Sequence, residues 1–168
     1  MGKAGGLEEL AESGDANGRR LRQDARACLD AAVAAVDPTR LVTDILEQHP
    51  ETVPGTDPIH VVAVGKAATA MARAVCEIFG PRVAAGVVIA PTDAEMGNLG
   101  NLRTFRGGHP VPTDGSQRGA QTVAQLVDQL GANDFLLCLI SGGGSALMTL
   151  PPSGVPLGDV RETTETLL

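Results

Sequence analysis

The sequence predicts an α/β protein built on a doubly wound, mainly parallel sheet flanked by helices, and three observations carry that reading. Short runs of Val, Ile, Leu and Ala alternate with segments of helical periodicity between residues 59 and 140, the alternation that produces parallel sheets with crossover helices. The runs are apolar at almost every position, as strands covered on both faces are. Gly and Pro punctuate the ends of these runs, where the chain must turn.

The elements follow in order. Residues 1–21 are rich in Gly and polar side chains without sustained periodicity and read as a flexible or short helical arm, leaving residues 22–168 as one α/β domain. From Arg22, the positions Ala25, Cys28, Leu29, Ala32, Val33 and Val36 mark one buried stripe of a helix. Asp37-Pro38 ends it and starts another, with Asp suited to the N-cap and Pro to the first turn. That second helix runs to about residue 48, with Leu41, Val42, Ile45 and Leu46 on one side. A turn-rich linker, residues 54–58, precedes a β-branched strand at residues 59–64.

Ala67, Ala70, Met71, Ala74, Val75 and Ile78 trace the next helix, stopped by Gly80-Pro81. Residues 83–90 form a second strand, residues 102–105 a weaker third, residues 116–130 a helix, and residues 135–140 a strongly apolar fourth strand. The plan is Rossmann-like. A last helix begins at Asp159 and reaches Leu168 with no Gly and no C-cap, which reads as a domain truncated at its C-terminus.

Composition narrows the function. The 168 residues suffice for one core. At 43% hydrophobic and 20% charged the chain is a folding one. Aromatics are 2%, with no Trp or Tyr, so bases have almost no platform to stack on. A net charge of −7 repels duplex DNA, and no nucleic-acid partner is expected. Residues 59–150 hold six basic and six acidic side chains, so one lysine there can dominate a local anion site.

Cys28, Cys76 and Cys138 fall at apolar positions without metal-ligand spacing. They are expected to be buried, reduced thiols, and no metal-ligating residue is singled out. No apolar run reaches the ~20 residues that span a bilayer. The N-terminus lacks an apolar signal core, and Gly6 stands where a myristoylation signal carries Ser or Thr. The expected address is cytoplasmic, without a membrane partner; a homo-oligomer is left open.

Three loops carry candidate chemistry. Ser141-Gly142-Gly143-Gly144-Ser145 follows the fourth strand; successive glycines let main-chain N–H groups converge on an anion, and Ser141 and Ser145 can add hydroxyl donors. Gly65-Lys66 holds the same place after the first strand. A lysine opening a helix opposes the helix dipole, which suits a cation meant for an anionic guest. Gly108-His109-Pro110 is a rigid turn whose imidazole can donate to an anion or move a proton. Asp114 is expected to cap the following helix; His49 and His60 read as structural or solvated. Neither GxxxxGK[ST] nor GxGxxG occurs.

In order and spacing, Val64-Gly65-Lys66-Ala67-Ala68, Gly108-His109-Pro110-Val111-Pro112 and Leu139-Ile140-Ser141-Gly142-Gly143-Gly144-Ser145-Ala146-Leu147 resemble the glycerate 2-kinase family. Its members also carry the name hydroxypyruvate reductase, and many have a second, MOFRL, domain downstream. The resemblance covers residue 22 onward. It implies ATP- and Mg²⁺-dependent transfer of the γ-phosphoryl group to the 2-hydroxyl of D-glycerate, giving 2-phosphoglycerate. It also implies a catalytic role for Lys66, phosphate or substrate binding by the glycine-rich loop and by Gly65, and a place for Gly108 and His109 in the family's Gly-His-Pro turn.

The MOFRL domain and the later nucleotide- and metal-holding residues have no counterpart in this sequence, so the chain by itself is expected to bind anions weakly and not to turn over. Two other readings stand beside this one: NAD(P)H-dependent reduction of hydroxypyruvate, and a non-catalytic anion- or phosphosugar-binding module.

Overall fold

The structure is a computed structural model that describes residues 5–53, 55 and 57–168. Residues 1–4 of the expected arm, and Pro54 and Thr56 of the expected linker, lie outside the described residues. Two compact units emerge, Met1–Asp37 and Pro38–Leu168.

Among the described residues the first unit holds a single helix, α1 (Gly5–Ala35). The helix expected from Arg22 is thus the second half of a longer one that also takes in most of the expected arm. Its stripe is not buried: Leu29 and Val33 are exposed, as is Cys28. Periodicity fixes which side chains share a face, whereas burial needs a partner for that face, which spacing does not encode. Exposed ion pairs one turn apart, Arg20–Asp24 and Arg26–Asp30, support the helix by a few tenths of a kcal/mol each.

In the second unit α2 (Pro38–Gln48) is followed by a 3-10 turn at Pro50–Thr52 and then by β1 (Ile59–Val64), α3 (Ala68–Phe79), β2 (Val83–Pro91) and β3 (Leu102–Gly107). The chain continues through α4 (Asp114–Gln129), β4 (Phe135–Ile140), a single turn α5 (Gly144–Leu147) and α6 (Leu157–Leu167). The four strands form one sheet in the order β3-β2-β1-β4, with every pairing parallel. In register, Val64 at the end of β1 lies between Ile89 of β2 and Ile140 of β4.

The alternation of side chains divides the core in two. On one face Ile59, Val61 and Ala63 pack with Val88 and Ala90, covered by Ala68, Ala72 and Val75 of α3 and Leu46 of α2. On the other, Val64, Val87 and Ile89 meet Leu147 of α5, with Phe105, Val123 and Leu126 against them. Apart from half-buried His60, central β1 is therefore dry on both sides, as its almost wholly apolar run requires. Gly119 lets α4 approach: a Cβ there would sit 2.8 Å from Ile89 Cδ1.

Strand β4 departs from the expectation of a buried strand. It is an edge of the described sheet, and although Phe135, Leu137 and Leu139 pack against the α3-side core, Cys138 is exposed and Ile140 is 73% exposed. An all-apolar run states what both faces favour, and here only one face is covered. Cys76 alone approaches the expected buried thiol. It is half-buried, its Sγ donates to the Leu99 carbonyl at 3.7 Å, and burial, reinforced by the Glu77 charge, raises its pKa above the usual thiol value. Among the described residues no helix is long and apolar enough to cross a membrane.

Candidate functional site

Two neighbours in the sheet, β1 and β4, mark the point where strand order reverses, since β2 and β3 extend one way from β1 and β4 lies on its other side. Open α/β sheets bind ligands outside the carboxyl ends of strands at such a point. The loops that leave there are Gly65-Lys66 and the Ser141–Gly144 segment, and they are joined to one another.

The joint is built of main chain and one hydroxyl. Lys66 N–H donates to the Gly142 carbonyl at 2.9 Å, and Ser141 N–H to the Val64 carbonyl at 2.9 Å. Ala67 N–H, at the start of α3, donates to Ser141 Oγ at 3.0 Å, and that hydroxyl faces the Val64 carbonyl at 3.4 Å. Gly65 makes the approach feasible: its φ is +120°, and a Cβ there would stand 2.2 Å from Ser141 Oγ. Gly65 N–H reaches across to the Ile89 carbonyl at 3.2 Å.

Ser141, expected to offer its hydroxyl to an anion, uses it in this structure to meet the N-terminus of α3 and to tie the two loops, because an unsatisfied helix N-terminus is the nearest demand on it. Of the three glycines only Gly143 has a positive φ, +85°, while Gly144 already opens α5. The N–H groups of Gly142 and Gly143 donate to no main-chain carbonyl among the described residues. Ser145 faces elsewhere: it lines a separate hollow of about 290 Å³ with Pro110, Pro112 and Thr149.

The His109 ring lies over Gly143, where a Cβ would be 2.5 Å from its Cδ2 and 3.0 Å from its Nε2. The His109–Pro110 peptide bond is cis. The turn is anchored beneath by Ser116, fully buried, whose Oγ accepts N–H bonds from Gly108 at 3.0 Å and Thr113 at 3.1 Å. From above, Arg161 of α6 donates through Nε to the Pro112 carbonyl at 2.8 Å and through Nη2 to Asp114 at 2.7 Å. Asp114 is thus not the cap that the sequence suggested. Thr113 holds that position, and Asp114, the first residue of α4, pairs with Arg161 instead.

Lys66 and His109 line one open cavity of about 390 Å³ with Pro91, Asp93 and Ala94. Both side chains are exposed, and among the described residues Lys66 has no ion-pair partner. An exposed, unpaired ammonium at the rim of a half-polar cleft is suited to a carboxylate or phosphoryl oxygen. Asp93 was missed. It sits just past the carboxyl end of β2, and the signal that could have found it is the same strand-end position that singled out Lys66. Among the described residues no three His, Cys, Asp or Glu side chains gather as a metal site. His49 is exposed beside Glu51, and half-buried His60 has Nε2 3.8 Å from Asp134; neither lines the cavity.

The profile of a family described as "Domain of unknown function (DUF4147)" matches residues 24–168. The chain belongs to this family. It is 38% identical over 137 residues to a D-glycerate 2-kinase of Thermotoga maritima, a match covering 82% of this chain and 32% of that protein. It is 34% identical to an Agrobacterium vitis protein provisionally named a hydroxypyruvate reductase, over 88% of this chain and 32% of the other. The crystal structure of a Thermotoga maritima glycerate kinase superposes with a TM-score of 0.76 at 36% identity, covering 89% of this chain and 35% of that one. The DUF4147 chain described above therefore spans about a third of the length of the relatives it matches, and its sheet and flanking helices are those of the glycerate kinase fold.

Proposed function

We propose that this chain carries the hydroxy-acid subsite of a glycerate 2-kinase, the part that holds D-glycerate while its 2-hydroxyl takes the γ-phosphoryl group of ATP to give 2-phosphoglycerate. The observation that supports the reading most is the joining of the Gly65-Lys66 and Ser141–Gly144 loops at the strand-order reversal, with Lys66 and His109 on one cavity. Lys66 would neutralise the substrate carboxylate or the phosphoryl oxygens in transit, His109 would donate to an oxygen beside it, and the joined loops would hold both in place. Phosphoryl transfer asks chiefly for positioning and charge neutralisation.

Lys66 and the free amides of Gly142 and Gly143 suit phosphate oxygens. Among the described residues Asp93 is the one carboxylate lining the cavity, so a Mg²⁺ ion would rest chiefly on the nucleotide's own phosphates, as it commonly does. When bound, ATP with Mg²⁺ supplies the phosphoryl group and offsets its charge. The relatives have about two thirds more of their length to contribute, and this chain assayed alone with D-glycerate, ATP and Mg²⁺ is expected to bind the acid without turnover. Turnover at an ordinary enzyme rate would show that the chain suffices. A second reading, reduction of hydroxypyruvate, is favoured by the name of the Agrobacterium vitis relative; NAD(P)H oxidation dependent on hydroxypyruvate would establish it in place of the first.

A further inference from the structure

We propose that Asp93 reads the hydroxyl of the bound acid, making the Lys66 cavity selective for a hydroxy acid over a plain carboxylate; this rests on the reading of the cavity as a hydroxy-acid subsite. The residue stands two positions past β2, in a loop that looks like an ordinary solvated turn in sequence. Its backbone is held on both sides: Arg106 Nη1, reaching over from β3, donates to the carbonyls of Thr92 and Ala94, the latter at 2.8 Å. The guanidinium thus clamps the residues flanking Asp93 and leaves its carboxylate free. Among the described residues that carboxylate has no hydrogen-bond or ion-pair partner, and it lines the same cavity as Lys66 and His109.

A carboxylate in a cleft meant only for anions would be a defect, since it repels the guest that Lys66 attracts. It becomes an asset when the guest brings hydrogen-bond donors. An ionised carboxylate accepts and cannot donate, so it distinguishes an acid bearing hydroxyls from one of similar size bearing none. The acid's own carboxylate then turns toward Lys66 and its hydroxyl toward Asp93, which sets the end of the molecule presented for reaction. Arg106 acts as a positioning residue, fixing the ledge that Asp93 projects from, and does not touch the guest.

The test is a titration of the ¹⁵N-labelled chain with D-glycerate and, separately, with propionate, which keeps the carboxylate and lacks the hydroxyls. The wild-type protein is expected to prefer D-glycerate by about tenfold, the size of one charge-assisted hydrogen bond at an open site. Asp93→Ala is expected to erase that preference, by weakening D-glycerate while leaving propionate equal or tighter. Asp93→Asn keeps an acceptor oxygen and is expected to retain part of the preference, which separates hydrogen bonding from charge. A wild-type preference that survives intact in Asp93→Ala overturns the role of Asp93 alone. Failure of the wild-type chain to bind either acid overturns the hydroxy-acid reading of the cavity, and Asp93 with it.

Discussion

The joint between the loops and the rim of the cavity, which adjoin in the chain at Gly65-Lys66, are built on opposite principles. At the joint, Gly65 and Ser141 commit their main-chain N–H groups to the ends of β2 and β1, Gly142 accepts from Lys66 N–H, and Ser141 Oγ accepts from Ala67 N–H, and no space is left for even a methyl group at Gly65. At the rim, Lys66, Asp93 and His109 are exposed and face a common cavity. A site that neutralises charge needs both: polar groups already satisfied, which fix the backbone, and polar groups left unsatisfied, which meet the ligand. Residues of the first kind should therefore govern stability with an indirect effect on binding, and residues of the second kind the reverse.

The sharpest way to break that division is Gly65→Ala. The new Cβ would meet Ser141 Oγ at 2.2 Å and Ser141 O at 2.6 Å, on a backbone at φ +120°. Strain and forced separation of the loops together are expected to cost on the order of 3 kcal/mol, read as a lower urea midpoint. A midpoint within experimental error of wild type would mean that the loops are not joined in solution. Ser141→Ala is a milder cut at the same joint. It removes the acceptor for Ala67 N–H and is expected to cost about 1 kcal/mol, with D-glycerate affinity changed less than about threefold. A large loss of affinity without loss of stability would move Ser141 to the rim and restore the role its sequence suggested.

The same division explains what could be read in advance. Strand β1 was legible to the residue, 59–64, because a β-branched run is bounded by Pro58 and Gly65, and both kinds of punctuation are local. The position of Lys66 at a strand end was legible for the same reason, and His109 was legible as part of the Gly-His-Pro turn. That β4 lies beside β1 was not, since the pairing of Val64 with Ile140 joins segments far apart in the chain, and only this adjacency spends the Ser141 hydroxyl. The exposed stripe of α1 and the bare Ile140 show a related gap: apolar spacing names a face without naming its cover. Asp93 was missed although it stands at a strand end as Lys66 does; what the sequence does not show is the Arg106 clamp on its neighbours, since a polar turn looks alike whether an arginine clamps it or water surrounds it.

In the proposed site Lys66 would face an anionic guest from the cavity it shares with His109 and Asp93. Titrating D-glycerate into the ¹⁵N-labelled wild-type chain and into Lys66→Ala tests it most directly. Saturable shifts are expected to cluster at residues 65, 66, 93, 109 and 143 of the wild-type protein. In Lys66→Ala those shifts should be lost, with the urea midpoint unchanged because an exposed, unpaired side chain supports little of the fold. Shifts of equal size and midpoint in Lys66→Ala, or shifts confined to residues away from the cavity, would contradict it.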